Sequence, residues 1–320
     1  MRNFKYDKMK NSSNFSVIHP DELLAFLVRE LPNEGRKHLQ NLLSAGLVLV
    51  NGQAIRQFNH PLQAGQHVTL LPRQAVIQSD GLPPLPIVHE DNFLIVVNKP
   101  SGLLTVATDK EKRRTAYAML SEYIKERNRD NKIFIVHRID RETSGLLLFA
   151  KSEDVKRTIQ DSWLDVIEER LYVAVVEGKL ARESGTIKSY LKESAAMRVY
   201  SSPNPHQGKE AVTHFRRLAV SRAYSLVELR LETGRKHQIR VHMQELGHPV
   251  AGDKKYGATT NPLKRLALHA RVLAFHHPVD GQLHHFETPV PPAFAAMFSA
   301  KFPWQRLLHQ PGGGIQLAST

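Results

Sequence analysis

The chain has 320 residues and no cysteine, and its lysines and arginines outnumber aspartates and glutamates 44 to 31, a formal charge of +13. The missing cysteines exclude a disulfide framework and thiolate-based zinc sites, including those of the nucleobase deaminases. No apolar run approaches the roughly 18 residues of a membrane span, and residues 1–18 hold no apolar core of a secretory signal, which leaves the cytoplasm as the default compartment.

The length suits two domains, or one large domain with an appendage. Residues 1–18 are polar and basic and are expected to be a disordered tail. Residues 19–72 read as a small unit. Pro20, Asp21 and Glu22 suit a first helical turn, followed by Leu23, Leu24, Leu27 and Leu31 at helical spacing. A second helix carries Leu39, Leu42 and Leu43 and ends at a Gly46 cap. Strands follow at Leu47–Val50 and Val68–Leu71, the first running into an Asn51-Gly52 turn. Residues 73–86 read as a linker stiffened by Pro83, Pro84 and Pro86.

From residue 87 to about 305 the pattern is that of an α+β domain with a mixed, largely antiparallel sheet. Strands are expected at Phe93–Val97, Leu146–Ala150 and Tyr172–Val176, with a helix at Tyr117–Lys125. Val227, Leu229 and Leu231 alternate with Glu228, Arg230 and Glu232, the period of a half-buried strand. Residues 306–320, rich in glycine, form a loose tail.

Three segments carry groups fit for chemistry. In the first, residues 137–145, Arg138 and Arg141 flank Asp140 just before an apolar strand; the cations favour an ionised carboxylate. A surface ion-pair cluster is the plain alternative. In the second, residues 231–242, Thr233 is a candidate N-cap, Ile239, Met243 and Leu246 form a buried stripe, and Arg240 lies at its edge, facing a cleft; Gly247 ends the helix. His237 and His242 do not share a face, which argues against a metal pair. In the third, residues 170–178, Tyr172 sits mid-strand, where packing is the ordinary role.

These segments resemble the RluA-type RNA pseudouridine synthases. Residues 137–151, H-R-I-D-R-E-T-S-G-L-L-L-F-A-K, are similar to that family's signature. Asn98-Lys99-Pro100, the tyrosine strand, Gly208–Thr213, the Thr233–His242 segment, Gly247-His248-Pro249, Gly252-Asp253, Leu268-His269-Ala270 and Phe275–Pro278 follow in family order. Residues 19–72 resemble the α-L RNA-binding domain of a small-subunit ribosomal protein, although Pro20-Asp21 and Gly35-Arg36 depart from its pattern. After Asn98-Lys99-Pro100 the family tends to place a histidine-proline, where this chain reads Leu104-Thr105-Val106.

The resemblance implies a pseudouridine synthase fold and an isomerase of structured RNA, with large-subunit ribosomal RNA as first substrate and transfer RNA as the alternative. It implies that Asp140 is the essential carboxylate, salt-bridged to Arg240, and that Tyr172 stacks on the uracil and takes up its C5 proton. Arg138 would replace the flipped nucleotide, with Arg141, Arg235 and His237 on the RNA and Arg36 and Lys37 docking it through the N-terminal domain, alongside Arg29 and Arg56. No cofactor or metal is implied, nor a membrane partner, and a monomer is expected. The rivals are a non-catalytic RNA-binding protein on the same fold and an N-glycosidase using Asp140 and Glu142. A kinase is set aside, because residues 137–140 lack the H-R-D spacing and no glycine-rich phosphate loop is present.

Overall fold

The computed structural model describes residues 13–298 apart from 33, 45–47, 52, 56, 71–75, 78–81 and 110. The Gly46 cap, the Gly52 half of the turn, Arg56, much of the linker and the C-terminal tail lie outside the described residues. The chain divides into two compact units, 1–75 and 76–320.

In the first unit the elements are β1 (Ser13–Ser16), β2 (Asp21–Glu22), α1 (Leu23–Glu30), α2 (Arg36–Ser44), β3 (Val48–Val50), β4 (Gln53–Ala54), β5 (Pro61–Leu62) and β6 (His67–Leu70). The strand order is β1-β6-β3-β4, with β2 and β5 paired separately. Leu23, Leu24, Phe26 and Leu27 of α1 meet Leu39, Leu42 and Leu43 of α2 over Val48, Val50, Val68 and Leu70, all buried. Two expectations are corrected. Residues 13–16 are a strand, not a disordered tail: Phe15 pairs with Val68 and packs edge-on against Phe26 at 6.3 Å, and Val17 is buried behind it. Two apolar residues in a polar stretch are too few to show a period. Asp21 and Glu22 are extended rather than helical, because the amides of Leu23 and Leu24 donate to the carbonyls of His60 and Phe58 and no longer need a helical turn before them.

The second unit contains β7 (Val76–Ile77), β8 (Leu85–Glu90), β9 (Leu94–Lys99), α3 (Ala116–Lys125), β10 (Phe134–Ile135), β11 (Ser144–Ala150), α4 (Glu153–Asp161), α5 (Trp163–Val166) and β12 (Ile167–Glu177). It continues with β13 (Ser184–Glu193), β14 (Val199–Ser202), β15 (Lys209–Val220), β16 (Tyr224–Leu231), α6 (Gln238–Glu245), β17 (Leu268–His276), β18 (Leu283–Glu287) and α7 (Pro292–Ala295). The expected α+β class holds: one sheet runs β14-β13-β15-β16-β12-β17-β11-β9-β8-β7, with β10 on β11 and β18 on β17. Among the described strands only β11 and β17 pair in parallel, over Ser144–His269 and Gly145–Ala270.

Part of the expected linker enters this sheet, since Val76 pairs with Pro86 and Ile77 with Leu85. The alternating strand at 224–231 also departs from expectation, because Glu228 on its polar face is 3% exposed. Arg216 of β15 reaches it at 2.8 Å and Arg271 of β17 at 3.4 Å, so this face is covered by ion pairs instead of water. No described helix is long and apolar enough to cross a membrane.

Candidate active site

The site is laid out by strand register. Leu229, Tyr172, Ala270 and Gly145 are successive partners in one row across β16, β12, β17 and β11. Partners in a row show their side chains on one face, and so do residues two apart along a strand. Tyr172 therefore shares its face with Leu268 and Leu231, and all three line a cleft of about 390 Å³ that opens to solvent. Arg138, Ile139, Asp140 and Thr143 come to this cleft from the loop before β11, while Arg235, His237, Gln238, Ile239 and Arg240 come from the turn and helix after β16.

Gly145 closes that loop with φ of +113°, and a Cβ there would lie 2.0 Å from the Ala270 carbonyl oxygen. Only glycine allows this approach of β11 to β17.

Arg240 is the hub. Its Nη1 donates to Asp140 Oδ2 at 3.0 Å, and its Nε and Nη2 donate to both oxygens of Asp253 at 2.7 and 2.8 Å. Its guanidinium also stands 4.9 Å from the centroid of the Tyr256 ring. Burial works against the charge, but Asp253 and then Asp140 outweigh it and hold the pKa above the ordinary arginine value. Asp253 is 1% exposed at its side chain, whereas Asp140 is 26% exposed and faces the cleft. The inner carboxylate anchors the arginine and the outer one is left reachable. A guanidinium fork with one bidentate and one single partner is a rigid way to orient a carboxylate.

His237 stands 3.8 Å from Asp140 Oδ2 through Nε2, and its Nδ1 hydrogen-bonds the Tyr256 hydroxyl at 2.8 Å. Burial draws its pKa down to about 4, with Asp140 pulling the other way, so the ring is neutral near pH 7. The helix expected to begin behind Thr233 begins at Gln238, after His237 in a left-handed conformation with φ of +55°. Thr233 is not its N-cap: its hydroxyl accepts from the Val212 amide at 2.9 Å and donates to Gln238 Oε1 at 2.8 Å, tying the turn to β15. Ile239 and Met243 are buried as the stripe required, and His242 is a buried neutral ring held by Thr213 and Ser189, its pKa lowered to about 4 by burial.

Tyr172 is 9% exposed, and burial raises its phenol pKa, opposed by Arg170 and reinforced by Asp140. Arg138 and Arg235 are exposed on the cleft's rim. Arg141 is exposed as well but turns to the Gly102 carbonyl at 3.0 Å and does not line the cleft. Arg36 and Lys37 are exposed on α2 of the first unit. Arg29 is committed to Asp21 and Glu30. Among the described residues no group of three or more histidine, aspartate or glutamate side chains is placed to hold a metal ion.

Four contributors were not singled out from the residues. Asp253 lies in a Gly-Asp pair whose partner, thirteen residues earlier, only the fold reveals. Tyr256 and Arg170 were given no role from the sequence, yet Tyr256 hydrogen-bonds His237 and Arg170 is 8% exposed and donates to the Leu231 and Glu232 carbonyls at the end of β16. Lys99 is fully buried and its ammonium donates to the carbonyls of Pro100, Leu103 and Arg141, a lysine spent on tying one loop to another.

Residues 93–245 match the family model described as RNA pseudouridylate synthase. The chain is 36% identical over 278 residues to the uncharacterized RNA pseudouridine synthase YlyB of Bacillus subtilis, covering 85% of this chain and 91% of that one. It is 32% identical over 295 residues to the ribosomal large subunit pseudouridine synthase D of Zymomonas mobilis, covering 87% and 92%. The structure of human RNA pseudouridylate synthase domain containing 1 shares the fold, with a TM-score of 0.54 at 24% identity over 73% of this chain and 98% of that one.

Proposed function

Because the chain belongs to the RNA pseudouridylate synthase family, whose members are isomerases, we propose that the cleft at Asp140 converts uridine to pseudouridine in large-subunit ribosomal RNA. The observation that carries this reading is the pairing of Arg240 with a cleft-facing Asp140 on one side and a buried Asp253 on the other, opposite Tyr172. The ribosomal substrate rests on the names of relatives such as the Zymomonas mobilis enzyme.

Pseudouridine formation breaks the N1–C1′ bond, turns the uracil and joins C5 to C1′; the C5 proton passes to solvent and N1 takes one up, so no atom is gained or lost overall. The uridine first leaves its stack, which costs a few kcal/mol and less in a loop. Arg138 at the rim is suited to fill the gap, since a guanidinium both stacks on bases and pairs with phosphates. The uracil stacks on the Tyr172 ring. Asp140, oriented by the Arg240 hydrogen bond, either attacks C1′, forming an ester that C5 later displaces, or takes a proton from the sugar and later returns it; both routes need the carboxylate form. The upward shift of the Tyr172 phenol keeps it protonated near neutral pH, which favours stacking over a base role.

The test is incubation of the protein with unmodified ribosomal and transfer RNA, followed by release of tritium from 5-tritiated uridine and mapping of the modified positions. Conversion at defined ribosomal positions supports the reading. Release of free uracil would indicate an N-glycosidase, and modification of transfer RNA alone would overturn the ribosomal assignment.

The first unit is read as an RNA-docking domain, on its resemblance to the α-L fold and the exposed Arg36 and Lys37 of α2. Reversing both, Arg36→Glu with Lys37→Glu, is expected to weaken RNA binding about tenfold and to lower the slope of log affinity against log salt by about 1.5, since each lost phosphate contact on single-stranded RNA removes about 0.7. An unchanged slope would sink the docking role.

A further inference from the structure

The loop that carries Asp140 is gripped on both sides by the end of β9 and the segment that follows it. Beyond Asp140, the Arg141 carbonyl accepts from Lys99 Nζ at 3.1 Å and from the Gly102 amide at 2.9 Å. Before Asp140, the Ile139 carbonyl accepts from the Thr105 hydroxyl at 2.9 Å, between two buried residues. The Asp140 carbonyl itself accepts from the Thr143 amide at 3.1 Å. Thr105 is in turn fixed by the start of α3: its carbonyl accepts from the Tyr117 amide at 3.1 Å, and the Leu104 carbonyl accepts from the Ala116 amide at 2.8 Å. A helix start therefore holds a hydroxyl, and the hydroxyl holds the peptide group joined to Asp140.

We propose that Thr105 is a positioning residue for the reaction: its hydroxyl fixes the Ile139–Asp140 peptide and so aims the Asp140 carboxylate at the bound uridine. The proposal rests on Asp140 being the reactive carboxylate. Thr105 is 3% exposed and does not line the cleft. Without its hydroxyl the Ile139 carbonyl loses its hydrogen bond, and a buried acceptor left so drives local rearrangement. A shift of about 1 Å at a reacting group is enough to lower a rate about a hundredfold.

The experiment uses the full chain with enzyme in excess over tritiated RNA, so that single-turnover rate and apparent affinity are read separately. Thr105→Val, nearly the same shape, is expected to lower the rate about 10–100-fold, with affinity within about threefold and the melting midpoint little changed. Thr105→Ser, which restores a hydroxyl, is expected to return the rate to within about threefold of wild type. Thr108→Val, in the exposed turn of the same segment, serves as the control and is expected to leave the rate unchanged. A Thr105→Val rate within about twofold of wild type would overturn the proposal. So would a rate that falls in step with the melting midpoint, or a serine variant as slow as the valine one. Asp140→Asn tests the underlying assignment separately: if that variant stays active, the choice of carboxylate is wrong, whatever Thr105 does.

Discussion

Asp140→Asn is expected to abolish tritium release, by at least about a thousandfold, while RNA affinity and the melting midpoint stay near wild type. Asparagine has nearly the same size but cannot act as a strong nucleophile or base, and a positioned acid–base group alone accounts for about 10²–10⁴ in rate. The fold should tolerate the change, because Arg240 keeps both hydrogen bonds to Asp253. No buried cation is left without a partner, and the substituted side chain is already partly exposed. Wild-type tritium release from this variant would remove Asp140 from the chemistry.

Arg240→Met removes the same ion pair from the other side, and its expected consequence is different. The Asp253 carboxylate is buried, and Arg240 is its side chain's partner. Breaking a buried pair from one side typically costs about 3–5 kcal/mol, because the remaining charge is stranded. For a unit of this size that is a fall of roughly 6–20 °C in the melting midpoint. Activity should fall as well, since the Asp140 carboxylate loses its hydrogen bond from Arg240. The second substitution Asp253→Leu, added to Arg240→Met, is expected to recover most of the melting midpoint and none of the activity, which separates the two roles. Calorimetry of both variants is the check. A single variant that melts within about 2 °C of wild type would mean that Asp253 has another way to be satisfied.

The contrast between these variants shows what could be read from residues alone. The stripe of Leu23, Leu24 and Leu27, the apolar run before Ala150 and the alternation around Leu229 are local patterns, and each produced the expected element. The segment around Asp140 was legible because unusual chemistry is concentrated within nine residues. The support behind it was not. Asp253, Lys99 and Thr105 act across chain separations that no period encodes, and each resembles an ordinary polar residue until the fold brings its partner close. The mistaken Thr233 cap has the same origin. A threonine followed by a helical stripe is a sound local signal, but the hydroxyl finds the Val212 amide on a neighbouring strand, and the helix begins later. Glu228 was misplaced because alternation implies a wet face, and the arginines that cover it come from other strands.

The position of β17 has a consequence for biosynthesis. This strand joins the β12 side of the sheet to the β11 side, yet it is made late in the chain, at residues 268–276. As the polypeptide leaves the ribosome, the β7-β8-β9-β11 and β14-β13-β15-β16-β12 blocks can each close through antiparallel pairs before β17 is made. Each must then wait with an unmatched edge, the kind of surface that invites wrong partners during slow assembly of distant segments. Only when the Leu268–Ala270 stretch slots between them do Asp140 and Tyr172, carried on opposite sides of that gap, come to line one cleft. A nascent chain halted before that stretch would hold Asp140, Tyr172 and Arg240 and no sheet to bring them to one cleft.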